Sequence, residues 1–368
     1  MATSLSELYN KAVHTFQPLY ASIELTYKCN LACRFCYNPV DRTNQERAKP
    51  APAPPATPLV FDEIVGLLDE LRKMGTLYLT LTGGEPLVHP RFWDIARAAR
   101  ERTFALRIFT NGALIDERTA DRLYDLAPYC LEISIHGASP ETAQALNQRP
   151  GAHQRLMKAL ALLSERGIRV YLKCVVTRLV ESELEEIKAI GDRFGYPVFF
   201  DPVLTLSDDG QDYPLDLKAS DAAIRRLYSR NGLNIGNSPF EREPDSLNCA
   251  VGTGTLHVTP YGDVQPCTQW KESAGNIRDR SLAEIWNDSP IVKHAREVAK
   301  AMPRLIKAGT DKHAFCHHCP GLSLLRYGDA TRLDEQYLRV AKIRSEVADR
   351  EKGLGIVTPV TKVKTSKD

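Results

Sequence analysis

Six short β-type runs alternate with helix-type runs across residues 22–201, and this alternation restricts the chain to a parallel sheet wound with helices. The runs are 22–26 (SIELT), 77–82, 105–110, 131–136, 169–176 and 197–201, with helical patterns over 61–74, 90–102, 116–127, 152–166 and 181–194. Six strands with five intervening helices predict an α/β fold of the partial (β/α)6 barrel type. Side chains along a strand point alternately to its two faces. Leu131, Ile133 and Ile135 therefore oppose Glu132, Ser134 and His136, while Ile23 and Leu25 oppose Glu24 and Thr26. Val170, Leu172, Cys174 and Val176 likewise oppose Tyr171, Lys173, Val175 and Thr177. Parallel sheets rarely leave a face bare, so the polar face carrying Glu24, Glu132 and Lys173 reads as the lining of a chamber. An open sheet with one solvated face is the alternative.

Composition narrows the function classes. With 48 basic and 46 acidic residues the net charge is +2, which argues against a dedicated nucleic-acid or acidic-membrane surface. No run of eighteen apolar residues occurs, and the N-terminus has no basic segment followed by an apolar one, so a cytoplasmic protein is expected. The length of 368 residues accommodates one large domain and a smaller one. Nine cysteines grouped at short spacings fit metal ligation in a reducing compartment better than a disulfide framework.

Cys29, Cys33 and Cys36 follow a C-x-x-x-C-x-x-C spacing with no fourth cysteine nearby. Three thiolates hold three irons of a four-iron cluster and leave the fourth open to a ligand. Zinc is the competing reading, but structural zinc is closed by four ligands, and the nearest histidines, His14 and His89, lack ligand spacing. Directly after the second strand comes Thr82-Gly83-Gly84-Glu85-Pro86. Its glycine pair lets backbone approach a ligand closely, and Glu85 is expected to offer a carboxylate to an amine.

A second cysteine group follows residue 245. Cys249 precedes a hairpin turning at Gly262-Asp263, which leads to Cys267 and later to Cys316-His317-His318-Cys319. Four cysteines in two distant pairs close around one metal centre, with zinc and an iron-sulfur cluster equally compatible. His317 and His318 are expected to face solvent or the rim of that centre. Cys174, on an apolar strand face, reads as core, and Cys130 likewise. His136 is a chamber candidate, with a hydrogen-bonded core histidine as the simpler reading. The Ala-Pro run 48–58 reads as a surface insertion, and Asp208, Asp209, Asp212 and Tyr213 fall in a bridge without an assigned role.

Over about residues 18–205 the chain resembles the radical S-adenosylmethionine (radical SAM) enzymes, through the cysteine triplet with Phe35 before its last member and through the GGEP turn. The resemblance implies that SAM chelates the open iron of a 4Fe-4S cluster. Its amine would be held by Gly83, Gly84 and Glu85, with Thr110 near SAM, Ser134 at its ribose or methionine part and Lys173 at its carboxylate. One electron from the cluster would then release a 5′-deoxyadenosyl radical that takes a hydrogen atom from the substrate. The C-x12-G-x4-C pattern from Cys249 to Cys267, the segment 275–290 and CHHCPG resemble the auxiliary-cluster extension called SPASM, or its shortened form, twitch. No cysteine follows Cys319, which implies a single auxiliary 4Fe-4S cluster, as in twitch.

The expected organisation is an N-terminal segment 1–20, the barrel 21–205, a bridge 206–245, an auxiliary-cluster domain 246–330, a helix 331–351 and a disordered tail 352–368. The extension implies an oxidoreductase acting on a ribosomally made precursor peptide, by crosslinking, oxidation or epimerisation. A small-molecule dehydrogenase or isomerase acting on a sugar, aminoglycoside or cofactor precursor, and a non-catalytic metal-binding scaffold, are the alternatives. About twenty residues precede the first strand, too few for a fused leader-binding domain, so a precursor's leader is expected to be recognised by a separate leader-binding partner or by the barrel rim. A flavodoxin or ferredoxin is the expected reductant.

Overall fold

The computed structural model describes residues 5–38, 57–242, 247, 249–354 and 361–363. The six expected strands are present as β1 (Tyr20–Glu24), β2 (Tyr78–Thr82), β3 (Ala105–Thr110), β4 (Cys130–Ser134), β5 (Val170–Val175) and β6 (Val198–Asp201), each parallel to the next. After the N-terminal α1 (Leu5–His14), the helices packed on them are α2 (Phe61–Lys73), α3 (Phe92–Glu101), α4 (Glu117–Leu126), α5 (Pro140–Asn147), α6 (Ala152–Glu165) and α7 (Leu184–Phe194). Of these, α5 is absent from the sequence reading. It is one short helix, capped by the Ser139 hydroxyl and ended by Gln148 in the left-handed conformation, too brief for its periodicity to stand out from α6.

Local chemistry explains the elements. In α2 the buried Ile64, Leu67, Leu68 and Leu71 recur at helical spacing and form one apolar stripe. Glu63 accepts the Val60 N–H at 2.8 Å in its first turn, and Gly195, at φ +74°, stops α7. The apolar strand face, including Ile23, Leu81, Ile108, Ile133 and Leu172, is fully buried under the helices. The opposite face is polar and aromatic. Tyr20 stacks on Tyr78 with ring centroids 4.7 Å apart, and Tyr129 meets Tyr78 edge-on at 5.6 Å.

The bridge carries α8 (Asp221–Tyr228) and β7 (Phe240–Arg242), and beyond it lie β8 (Thr255–Val258), β9 (Asp263–Gln265), β10 (Gly275–Asn276), α9 (Leu282–Asp288), α10 (Pro290–Gly309), α11 (Pro320–Tyr327), α12 (Glu335–Gly353) and β11 (Thr361–Val363). The hairpin expected at Gly262-Asp263 is β8 and β9, and it continues the barrel sheet instead of making its own. Strand β8 runs parallel to β1 with Ser22 opposite His257, giving the order β10-β9-β8-β1-β2-β3-β4-β5-β6. A second core forms where α10 buries Ala295, Val298, Ala299 and Met302 against Trp270, Cys316 and Ala341.

The tail differs from expectation. Helix α12 runs to Gly353 and β11 pairs in parallel with β7, so part of 352–368 is ordered by backbone pairing, while 355–360 and 364–368 lie outside the described residues. Most of the Ala-Pro run also lies outside them. Its last two carbonyls, of Thr57 and Pro58, accept from the Arg278 guanidinium at 3.0 and 3.2 Å. No helix among the described residues is long and apolar enough to cross a membrane.

Candidate active site

The loop carrying Cys29, Cys33 and Cys36 leaves the end of β1 and is laced down on three sides. The Gly84 N–H donates to the Thr26 carbonyl at 2.7 Å and the Glu85 N–H to that of Lys28 at 2.9 Å. These bonds require bare glycines. A Cβ on Gly83 would lie 2.3 Å from the Thr26 carbonyl oxygen, and one on Gly84 2.4 Å from those of Tyr27 and Lys28, with Gly83 also at φ +142°. On the second side the end of α5 accepts from the loop, Ala32 N–H to Asn147 O at 3.0 Å and Arg34 N–H to Leu146 O at 2.9 Å. On the third side the Tyr213 hydroxyl donates to the Cys36 carbonyl at 3.0 Å.

These restraints shape a cavity of about 320 Å³ at the ends of the strands. Cys29, Cys33, Cys36, Phe35, Gly83, Gly84, Thr110 and Ser134, all expected from sequence, line it together. Two expected residues do not. The Glu85 carboxylate is fully buried behind the wall, where it accepts from the Thr110 hydroxyl and the Asn111 N–H, both at 2.8 Å, and from the Leu87 N–H at 3.1 Å. Burial raises its pKa to about 7. Glu85 therefore holds the end of β3 to the glycine turn instead of presenting its carboxylate to an amine. The Lys173 ammonium turns to Glu132 at 3.2 Å and lies 4.4 Å above the Phe199 ring. Glu132 also binds Arg107, so Lys173 is held in an ion-pair network and does not line the cavity.

Other residues complete the wall, among them His136, the chamber candidate of the sequence. The Asn111 amide donates to Asn30 Oδ1 at 2.8 Å and reaches Cys29 Sγ at 3.8 Å. His136 Nε2 lies 3.7 Å from Cys33 Sγ, its ring meets Phe35 at 5.3 Å, and burial takes its pKa down to about 4 and keeps it neutral. Asp201, at the end of β6, and Gln269, two residues past Cys267, also line the cavity. A strand-end asparagine after Thr110 was the one available sequence signal for Asn111; Gln269 had none, because its place depends on β8 joining β1. Along that junction a polar chain runs from Ser22 Oγ to His257 Nδ1 at 2.8 Å and from His257 Nε2 to Glu24 Oε2 at 3.3 Å.

The second cysteine group converges from distant segments. Cys249, Cys267 and Cys319 stand within electrostatic reach of one another, and Cys316 is fully buried beside them in the second core. A Cβ on Gly321 would lie 2.6 Å from the Gln269 carbonyl oxygen, so the two cysteine loops touch backbone to backbone. Burial and the neighbouring thiols push Cys249 and Cys319 up to about 12, an arrangement that a cationic centre would relieve. Among the described residues no three His, Cys, Asp or Glu side chains are gathered closely enough to hold a single metal ion, so fit to a cluster is judged on the donor set. A backbone N–H two residues on is aimed at each of four sulfurs, from Leu31 to Cys29, Val251 to Cys249, Gln269 to Cys267 and Gly321 to Cys319. Such N–H groups stabilise thiolates, and both sites fit thiolate-held clusters. Cys174 lacks this arrangement: it is buried in the main core and its thiol faces the Val175 carbonyl at 3.8 Å. His317 is exposed against Phe240, but His318 is buried, with Nε2 3.4 Å from the Ser323 hydroxyl and a pKa taken down to about 4 by burial. Of the two expected positions, solvent or the rim of the auxiliary centre, His318 does not take the first; Ser323 of α11 and Tyr337 of α12 enclose it beside Cys319.

Comparison with known proteins covers the segments that carry both cysteine groups. A family model described as the radical SAM superfamily matches residues 23–190, and the SPASM model, an iron-sulfur cluster-binding domain, matches 249–320. An AdoMet-dependent heme synthase of Methanosarcina barkeri is 27% identical over 310 residues, covering 77% of this chain and 86% of that protein. A mycofactocin maturase of Mycobacterium ulcerans is 28% identical, covering 82% and 83% respectively, and a PqqA peptide cyclase of Rhizobium meliloti 25% identical, covering 90% and 89%. Among solved structures, Streptococcus suis SuiB bound to S-adenosylmethionine superposes with a TM-score of 0.64 at 17% identity, covering 87% of this chain and 77% of that one. The structure of anSMEcpe with bound AdoMet superposes with a TM-score of 0.62 at 15% identity, covering 92% and 96%.

Proposed function

The chain belongs to the radical SAM superfamily and carries a SPASM iron-sulfur domain, and from that premise we propose that it oxidises a ribosomally made precursor peptide in the cytoplasm. It is an enzyme of S-adenosylmethionine and 4Fe-4S clusters, including an auxiliary one, so the non-catalytic scaffold is set aside. Bound here, SAM and the reduced cluster supply a radical able to take a hydrogen atom from an unactivated carbon.

The chain's own residues supply the rest. Cys29, Cys33 and Cys36 would hold the SAM-binding cluster, and the Gly83-Gly84 backbone and Thr110 face the space SAM would fill. Ser134, on the same wall, is our candidate for its ribose or methionine part. Cys249, Cys267, Cys316 and Cys319 would hold the auxiliary cluster. Phe35, Phe109, Val175, Val203 and Leu204 give the cavity an apolar side against which a bound substrate would shed water. The observation that carries an oxidative reading is Gln269: two residues after Cys267, it lines the same cavity as the first cysteine triplet. An electron acceptor beside the substrate favours net loss of two hydrogens over rearrangement.

The peptide substrate is inferred from the maturase and peptide cyclase among the relatives. A second reading, a small-molecule substrate, is favoured by the equally similar heme synthase. We assign leader recognition to a separate protein and electron supply to a flavodoxin or ferredoxin. Anaerobic co-expression with precursor peptides encoded nearby decides between the readings. A peptide lighter by two hydrogens supports the first. Unchanged peptides, with 5′-deoxyadenosine released only on adding a small-molecule substrate, would support the second.

A further inference from the structure

The bridge turn after the barrel, where Asp208, Asp209, Asp212 and Tyr213 cluster, lies against both cysteine loops at once. The turn closes on itself, with the Ser207 N–H donating to the Gln211 carbonyl at 2.9 Å and the Gly210 N–H to that of Ser207 at 2.8 Å. The Ser207 hydroxyl also binds Asp209. Toward the first cysteine loop, the Asp208 N–H donates to the Tyr37 carbonyl at 2.7 Å, beside the bond from the Tyr213 hydroxyl to the Cys36 carbonyl at 3.0 Å. Toward the second, the Asp208 carboxylate takes the Lys271 ammonium at 2.9 Å. Lys271 is four residues past Cys267, and its carbonyl accepts from the Gln265 amide at 3.3 Å. The same ammonium lies 5.4 Å from the Tyr37 ring centre.

One residue thus grips one loop with its backbone and the other with its side chain. The ion pair is only 16% exposed at Lys271 and 23% at Asp208, so solvent screens it less than a surface pair. We propose that Asp208 is a positioning residue, and Lys271 its counterpart, that sets the auxiliary-cysteine loop against the SAM-binding loop and so keeps Gln269 closed over the cavity. Neither side chain touches the reacting atoms in this assignment; both act through the loops they hold. A turn that served only to connect barrel and auxiliary domain would need no such double contact.

The test uses the anaerobically reconstituted holoprotein without substrate, so a wrong substrate class leaves it intact. Asp208→Asn and Lys271→Met are each expected to keep both clusters, with iron at about eight per chain, yet to weaken SAM binding about tenfold. They should also shrink the change that SAM causes in the electron paramagnetic resonance spectrum of the first cluster. The exchange variant, Asp208→Lys with Lys271→Asp, restores the pair with reversed sign and should recover most of both signals. Should Asp208→Asn lose iron and fold, Lys271→Met tests the same pair from the other loop. SAM affinity and spectra at the parent's level in Lys271→Met would overturn the proposal, and so would an exchange variant no better than the single ones.

Discussion

The two cysteine sites of this molecule are built in opposite ways. The first draws three thiols from eight consecutive residues of one loop, all lining an open cavity. The second draws four from segments spread over some seventy residues and gathers them between the sheet extension and the second core. A short loop gathers ligands at little entropic cost and leaves one side free, which suits a centre that must accept SAM. A non-local site depends on a core to assemble it, and a buried Cys316 beside half-buried Cys249, Cys267 and Cys319 suits a centre that passes electrons. The difference teaches that the spacing of cysteines reports what a cluster can do as well as where it sits.

The largest expected effect breaks the open site. Cys33→Ala should lower iron from about eight to about four per chain and abolish 5′-deoxyadenosine formation. Iron assay and product analysis after dithionite reduction check this, and full SAM cleavage in the variant would put the radical chemistry elsewhere. Next comes the scaffold of that site. Gly84→Ala forces a Cβ against two carbonyl oxygens at 2.4 Å, and should cost about 1–3 kcal/mol of stability together with SAM binding, read by thermal unfolding and titration. At the second site a Cβ on Gly321 would meet the Gln269 carbonyl oxygen at 2.6 Å, so Gly321→Ala should perturb the auxiliary cluster's spectrum first and, acting through Gln269 alone, weaken SAM binding less than Gly84→Ala does.

A smaller effect concerns pH. Burial raises Glu85 from 4.5 to about 7. The unfolded chain therefore loses this proton first, and the contribution to stability, whole below about pH 4.5, is lost as pH rises to about 7, by at most about 3 kcal/mol. Glu85→Gln should flatten that slope in denaturant titrations of the apo chain; an unchanged slope would show that Glu85 is ionised throughout. The smallest effect is expected at Lys173→Met. Because its ammonium is committed to Glu132, SAM affinity should stay within about twofold of the parent's, whereas a larger loss would return Lys173 to the SAM carboxylate.

The same contrast explains what sequence could reveal. The open site, the six strands and the outward apolar face were legible because each depends on local spacing or on the two-residue period of a strand. Strand β8 joining β1, and with it the place of Gln269, depends on pairing across more than two hundred residues, which no local pattern encodes. Glu85 and Lys173 were expected on the correct strands and turns, but their side chains found partners, Thr110 and Asn111 for one and Glu132 for the other, that only tertiary packing selects. Helix α5 escaped because eight residues carry little periodicity.

The central claim is that the two cysteine groups are independent centres and that the first alone cleaves SAM. The most direct test is the Cys316→Ala, Cys319→Ala double variant, purified anaerobically, reduced with dithionite and given SAM. The account predicts about half the parent's iron, 5′-deoxyadenosine still formed, and no oxidised product. A double variant that has lost all its iron, or that binds SAM without cleaving it, would contradict it.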